Sequence, residues 1–277
     1  MADHIELKTR GEFQAMRAAG LVLAAALDAA KSAVLPGVST ADLDDIVATV
    51  IAAAGATSNF RGYHGFPAVI CASVNDEVVH GIPTADRVLA EGDLISVDAG
   101  CVLDGWHADS AFTAHVGSPP SMEEVDLIAA ATDAMWAGIA AARSGGRLGD
   151  VSSAIESSVA QSGRRDGRRY GSVSGYGGHG IGTAMHMDPF VPNQGKRSKG
   201  IKLVDGMALA IEPMLTLGRH QTSELDDGWT VVTRDGSRAA HMEHSIAITG
   251  DGVCVLTAVD GGAAGLAAYE VVPVSLD

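Results

Sequence analysis

Leu89-Ala90-Glu91-Gly92-Asp93-Leu94-Ile95-Ser96-Val97-Asp98 lines up without a gap on Leu203-Val204-Asp205-Gly206-Met207-Ala208-Leu209-Ala210-Ile211-Glu212, about a hundred residues further on. Leucine, acid and glycine match in turn, and an apolar run then delivers a carboxylate, Asp98 in one copy and Glu212 in the other. The pair reads as a duplicated half-domain whose buried strands bring two acids together. A carboxylate left unpaired in a dry site costs several kcal/mol or shifts its pKa until neutral, so acids gathered there need a counter-charge. A metal centre would supply it.

With 277 residues, 47% of them hydrophobic, the duplication favours one pseudo-symmetric domain over 1–277, with halves at about 40–145 and 146–260 and an N-terminal helix over 10–35. The most apolar run, Ala18 to Leu35, is interrupted by Asp28 and Lys31, which argues against a bilayer-spanning helix and a membrane partner. The N-terminus has neither a basic leader nor an apolar core, so no signal peptide is expected and a soluble cytoplasmic protein is the default. Cys71, Cys101 and Cys254 are too few and too scattered for a disulfide framework or a zinc knuckle, and fit a reducing compartment. The formal charge of −15 disfavours wholesale binding to nucleic acid or anionic membrane. Positions 164 to 202 are the exception, with eight Lys/Arg against two acids.

Thr9-Arg10-Gly11-Glu12 reads as a capping box opening an alanine-rich helix that Pro36-Gly37 stops. Ser39 or Thr40 starts a second helix that ends at Gly55; Ser121-x-x-Glu124 opens a third, and Leu148 to Ser162 forms a fourth. The order is helix pair, strands, helix pair, strands. Turn signals at Asn75-Asp76, Asp104-Gly105 and Asp235-Gly236 each sit between apolar runs. The Gly-rich stretch Tyr170 to Gly182 reads as a site loop, and the last ten or so residues as a tail.

If Asp104-Gly105 is a two-residue hairpin turn, Leu103 pairs with Trp106, Asp98 falls opposite Ala111, and Asp109 lies one diagonal step away on the same face. Two such carboxylates repel unless cations sit between them. Gly177-Gly178-His179-Gly180-Ile181-Gly182 lets the backbone pass close to a site while presenting one imidazole, with His186 seven residues on and His80 in Val-Val-His-Gly-Ile-Pro. Ala240-His241-Met242-Glu243-His244-Ser245 supplies a further acid among apolar and histidine residues, which is not a solvated-face pattern.

With Asp98, Asp109 eleven positions later, His179 in Gly-His-Gly-Ile-Gly, Glu212 in Ile-Glu-Pro-Met and Glu243 in Glu-His-Ser, the chain resembles the type I methionine aminopeptidases over about residues 10 to 258. The resemblance implies an α+β pita-bread (creatinase/aminopeptidase) fold, two pseudo-symmetric halves around a curved antiparallel sheet. It implies two divalent metal ions, Co, Mn, Fe or Zn, with Asp98 on one, His179 and Glu212 on the other, and Asp109 and Glu243 bridging. His80 would contact the scissile amide nitrogen, His186 would donate to the carbonyl oxygen, and Glu212 would shuttle a proton to the leaving amine. Phe60, Tyr63, Phe66, Cys71, Met185 and Trp229 would form the methionine pocket, where polarizable walls suit a thioether. Many relatives carry an aromatic where Met185 stands, and several carry basic residues where this chain has Glu224-Leu225-Asp226-Asp227. The expected substrates are N-terminal Met peptides and nascent chains, acted on by a monomer. A ribosome contact would then fall to the basic patch of Arg164, Arg165, Arg168, Arg169, Lys196, Arg197, Lys199 and Lys202. Rival readings are an Xaa-Pro aminopeptidase or dipeptidase of the same fold, and a binding module that has lost its metals.

Overall fold

Side-chain caps set the helix starts in the computed structural model, which describes residues 5–118 and 121–276. Thr9 accepts the Glu12 N–H, and the Glu12 carboxylate accepts the Thr9 N–H, opening α1 (Arg10–Ser32). Ser39 and Asp42 repeat the exchange at α2 (Thr40–Ala53). The third helix, α3 (Met122–Ala141), starts after Ser121 without a side-chain cap. At α4 (Leu148–Arg165) the Arg147 N–H donates to Asp150 at 2.8 Å. A short α5 (Ala263–Leu266) follows the last strand.

The first half contributes β1 (Thr57–Ser58), β2 (Ile70–Val74), β3 (Glu77–Val79), β4 (Leu94–Leu103) and β5 (Trp106–His115). The second contributes β6 (Gly171–Ser172), β7 (Gly178–Gly180), β8 (Met187–Val191), β9 (Ala208–Ile211), β10 (Met214–Thr216), β11 (Thr222–Glu224), β12 (Val231–Thr233), β13 (Ala239–His241), β14 (Glu243–Thr249) and β15 (Gly252–Val255). The main sheet runs β1-β4-β5-β14-β9-β7-β8, with β2 beside β4 and β15 beside β14. All its pairings are antiparallel.

Each helix pair covers its own part of this sheet. Leu23, Ala26 and Leu27 of α1 pack with Leu43 and Val47 of α2 on Val97, Ala99 and Phe112. Leu127, Met135 and Ile139 of α3 pack with Val151 and Ile155 of α4 on Leu209, Ile211 and Ile246. Each such aliphatic side chain contributes about 1.5–3 kcal/mol on full burial. By length and composition α1 would pass for a membrane span, but its apolar face lies in this core.

The duplication extends to the hydrogen bonds. Leu89 gives its N–H to Val38 and takes the Gly37 N–H, as Leu203 gives to Gly146 and takes from Gly145. Gly92 N–H reaches Val116 just as Gly206 N–H reaches Ile248. Both glycines have positive φ, 82° and 95°, which a side chain would make costly and which aims the following strand into the sheet.

Asp104 and Gly105, at φ 50° and 84°, form the expected two-residue hairpin, with Leu103 opposite Trp106 and Asp98 opposite Ala111. The other two turn signals change sheets instead. Asn75-Asp76 joins β2, on β4, to β3, on β12, and Asp235-Gly236 joins β12 to β13, on β10. Two expectations are corrected. The Gly-rich segment is not all loop, because Gly178 to Gly180 is a strand between β9 and β8; a Cβ at Gly178 would collide with the Ala210 carbonyl. The C-terminal residues are not a free tail, since Gln14 Nε2 donates to the Leu276 carbonyl at 2.6 Å, Val274 N–H donates to Val253, and Leu276 packs on Phe13 and Met16.

Candidate metal centre and its cleft

Five neighbouring strands each bring one side chain that could hold a metal to the same place. Asp98 of β4 and Glu243 of β14 both pair with Ala111 of β5, which puts them level on either side of it. Asp109 lies two residues along β5 from Ala111, on the same face. His244 pairs with Ile211, so Glu212, just past the end of β9, comes level with Glu243. His179 sits in the middle of β7, whose Gly180 pairs with Leu209.

Ligand atoms of Asp98, Asp109 and Glu243 lie within 4.8 Å of one another, and so do those of His179, Glu212 and Glu243. His179 Nε2 stands 3.6 Å from Glu212 Oε1 and 3.9 Å from Asp109 Oδ2. Asp98 Oδ1, Asp109 Oδ1 and Glu243 Oε1 are buried without a hydrogen-bond partner. Burial pushes Asp98 up to about 7 and, with Asp98 nearby, Glu212 up to about 8. Asp109 and Glu243 are pushed well above the usual carboxylate range by burial and then by the surrounding acids. Buried oxygens that lack partners and repel one another are what a divalent cation neutralises. His179 Nδ1 faces the Gly180 carbonyl at 2.9 Å, and donation there leaves Nε2 as the lone-pair donor facing the acids. The donor set therefore fits divalent metal, with four carboxylates and one imidazole.

The backbone beneath the ligands is tied across strands. Ser245 Oγ donates to the Asp109 carbonyl and accepts the Asp109 N–H, Ser110 Oγ donates to the Glu243 carbonyl at 2.8 Å, and Asn193 Nδ2 donates to the Glu212 carbonyl. Above them opens a cleft of about 570 Å³. Phe60, Phe66, Cys71 and Met185 form one buried apolar cluster in its wall, with Tyr63 and Trp229 against it. The Phe66 and Trp229 rings meet edge-on at 5.0 Å. All six expected pocket residues line the cleft.

His186 lies over the ligands, its ring 4.4 Å from that of His179 and its Nδ1 2.8 Å from the Tyr63 hydroxyl. His80 adopts φ 62°, a left-handed conformation rare outside glycine and found where a site needs it. Its ring stands edge-on to Tyr176 at 5.7 Å and Trp229 at 6.0 Å. Burial lowers the pKa of His80 to about 4, and burial with His64 nearby lowers that of His186, so both are neutral donors at pH 7.

Sequence reasoning missed two residues. His241 is buried, its Nε2 3.7 Å from Glu212 Oε2 and 3.9 Å from Glu243 Oε2, and its backbone exchanges hydrogen bonds with the Thr113 hydroxyl. Its signal was the two-residue spacing from Glu243. Tyr176, which lines the cleft beside His80, had only its place in the Gly-rich segment.

The basic patch is split and partly neutralised. Arg165 pairs with Asp166 at 2.7 Å and Asp133 at 3.0 Å, and Arg168 with Glu123 at 3.4 Å and Asp126 at 3.8 Å. Arg164, Arg169, Lys196, Arg197, Lys199 and Lys202 are exposed. Lys199 meets the first turn of α4, where its carbonyl accepts the Gly149 N–H, whereas Arg164 lies in the last, about 22 Å away at 1.5 Å per residue.

The model of metallopeptidase family M24 matches residues 14–250. Methionine aminopeptidase 1 of Mycobacterium tuberculosis is 55% identical over 90% of this chain and 94% of its own length. That of Bacillus subtilis is 43% identical over 91% and 98%. The crystal structure of methionine aminopeptidase from Thermotoga maritima superposes with a TM-score of 0.87 at 38% identity, covering 92% of this chain and 99% of that one. Prolidase from Pyrococcus furiosus, at 20% identity, a TM-score of 0.72 and 65% of its length covered, shares the fold. With its five-strand ligand cluster and its helix pairs on a curved antiparallel sheet, this chain belongs to the methionine aminopeptidases of metallopeptidase family M24 and has their pita-bread fold.

Proposed function

We propose that this chain removes the N-terminal methionine from peptides and nascent proteins whose second residue is small, with residues 1–277 acting as one catalytic domain of two related halves. The observation that carries the reading is the apolar pocket of Phe60, Phe66, Cys71, Met185 and Trp229 opening directly onto the five ligand side chains. An unbranched thioether suits such walls, and methionine's flexible stem can fill the space that Met185 shapes.

In this reading Asp98, Asp109, His179, Glu212 and Glu243 would hold two divalent ions, of Co, Mn, Fe or Zn, and Asp109 and Glu243 would serve both. Such a pair supplies a water of lowered pKa and polarises the scissile carbonyl. If the Tyr63 hydroxyl donates to His186 Nδ1, the Nε2–H of His186 is free to donate to the carbonyl oxygen as it gains charge. His80, held by Trp229 and Tyr176, would contact the amide nitrogen, and Glu212 would pass a proton to the leaving amine. The pocket walls exclude water from the methionine side chain. Met-Ala peptides should turn over faster than Leu-Ala or Ala-Pro peptides, formyl-Met-Ala should resist, and exhaustive chelation should stop the reaction. Faster Ala-Pro cleavage, or activity that survives chelation, would overturn the reading.

The same reading places a monomer in the cytoplasm, meeting nascent chains at the ribosome through its basic patch. Arg164, Arg169 and the Lys196 to Lys202 segment would carry that contact, since acids occupy Arg165 and Arg168. Co-sedimentation with ribosomes should weaken steeply from low to moderate salt and drop when Arg164 and Arg169 become serine. Pelleting that is indifferent to both would refute the contact.

A further inference from the structure

Glu6 and Lys8 are charged groups that the proposed mechanism does not use, yet they are built into the wall beside the cleft. The Lys8 side chain is only 2% exposed, and its ammonium meets Glu6 Oε1 and the Glu6 carbonyl, each at 3.2 Å. The Lys8 N–H donates to the Gly206 carbonyl at 2.7 Å, which pins this N-terminal strap to the turn before β9. From there the Glu6 carboxylate reaches the loop joining β7 to β8 and accepts both the Thr183 N–H, at 3.2 Å, and the Thr183 hydroxyl. Gly182 is pressed so closely on the strap that a Cβ there would run into the Glu6 carboxylate and the Lys8 stem.

This loop, residues 181–186, carries Met185 in the pocket wall and His186 over the ligands. Its outer turn, Thr183 and Ala184, is exposed and has no core packing of its own to hold it. The strap also breaks the symmetry of the two halves. Leu7 and Lys8 lie against the side of Gly206 where a Cβ would sit, whereas among the described residues nothing lies within 4 Å of that place on Gly92, its counterpart in the first half.

We propose that Glu6, acting through Thr183, is a positioning residue that fixes the loop carrying Met185 and His186. The proposal rests on the methionine-removal reading only for what the loop does; that Glu6 holds it is a separate statement. A carboxylate taking two donors from one exposed turn forms charge-assisted hydrogen bonds, stronger than neutral ones and specific in direction. The neighbouring ammonium keeps that carboxylate ionised: against the cost of burial, the Thr183 hydroxyl and Lys8 hold Glu6 below its ordinary pKa.

Thr183→Val removes the hydroxyl donor while keeping the shape, the Thr183 N–H to Glu6 and the Glu6–Lys8 pair. In the metal-loaded variant, amide hydrogen exchange over 182–187 should quicken about tenfold while exchange in β9 stays unchanged. Metal content should be retained, kcat/KM for a Met-Ala peptide should fall about tenfold, and Thr183→Ser should restore both readouts. Glu6→Ala, which removes the acceptor of both Thr183 donors, should raise loop exchange at least as far, and Thr183→Val should add little in that background, as expected of two ends of one interaction. Unchanged loop exchange in Thr183→Val, or exchange that rises equally in β9, would overturn the proposal. A wild type that fails to cleave Met-Ala would sink the functional reading instead, and the exchange arm would still decide the role of Glu6.

Discussion

Glu243 and His186 separate two kinds of dependence on single side chains. Glu243 belongs both to the Asp98–Asp109 group and to the His179–Glu212 group, so removing its charge loosens both. Glu243→Gln should lose bound metal by elemental analysis and nearly all activity. His186 reaches the cluster from an exposed loop and comes within 4.8 Å of ligand atoms of Asp109 and His179, but it takes no part in the two groups that Glu243 shares. His186→Ala should keep its metal while kcat falls by about two to three orders of magnitude, the usual cost of a donor to a developing oxyanion. A His186→Ala protein that arrives without metal would make His186 a ligand, and a metal-replete Glu243→Gln would remove Glu243 from the centre. The seven acids and histidines that the sequence singles out all line one cleft, and each could be singled out because it stands in a motif of unusual residue types. His241 was not: Met242 separates β13 from β14, and its approach to Glu212 depends on where β9 lies in the sheet.

The elements were legible where local chemistry decides them. The Thr9–Glu12 capping box, the helix start at Ser39, one type of hairpin turn and the matching leucine-acid-glycine starts all act within a few residues, and the register from Leu103–Trp106 to Asp98–Ala111 follows by counting along an alternating ladder. What stayed hidden is non-local. Asn75-Asp76 and Asp235-Gly236 turn the chain as their residue types demand, but whether a turn closes a hairpin or crosses to another sheet depends on partners far along the chain. Gly178 looked like loop because glycine weakens strands in isolation; here its missing side chain admits the Ala210 carbonyl. The basic segment looked free because, apart from Asp166 beside Arg165, its acids, Glu123, Asp126 and Asp133, come from α3, some thirty to forty-five residues earlier.

At the scale of the whole molecule, the centre joins the halves: Asp98 and Asp109 come from the first, His179, Glu212 and Glu243 from the second. Its acids and histidines give stability a readable pH dependence. Buried histidines with lowered pKa, among them His179 at about 4 and His241 at about 3, bind fewer protons folded than unfolded. They make stability rise with pH through about 6.5, an effect that is largely spent by about pH 7 to 7.5, above which they are neutral in both states. The carboxyls act in the opposite sense. With cations removed, Asp98 at about 7 and Glu212 at about 8 keep protons in the folded chain that the unfolded chain sheds near pH 4, so stability falls as pH rises through this range. Carboxyls with lowered pKa, such as Asp235 at about 2, lose their contribution only below pH 4 and do not interfere. From about pH 7 to 8 the centre's carboxyls therefore dominate. Chelated protein should melt at progressively lower temperature across that window, while metal-loaded protein should hold or gain, because cations bind the ionised carboxylates. Scanning fluorimetry of both forms at constant ionic strength decides it. Parallel curves would mean that these acids do not share one metal-dependent cluster.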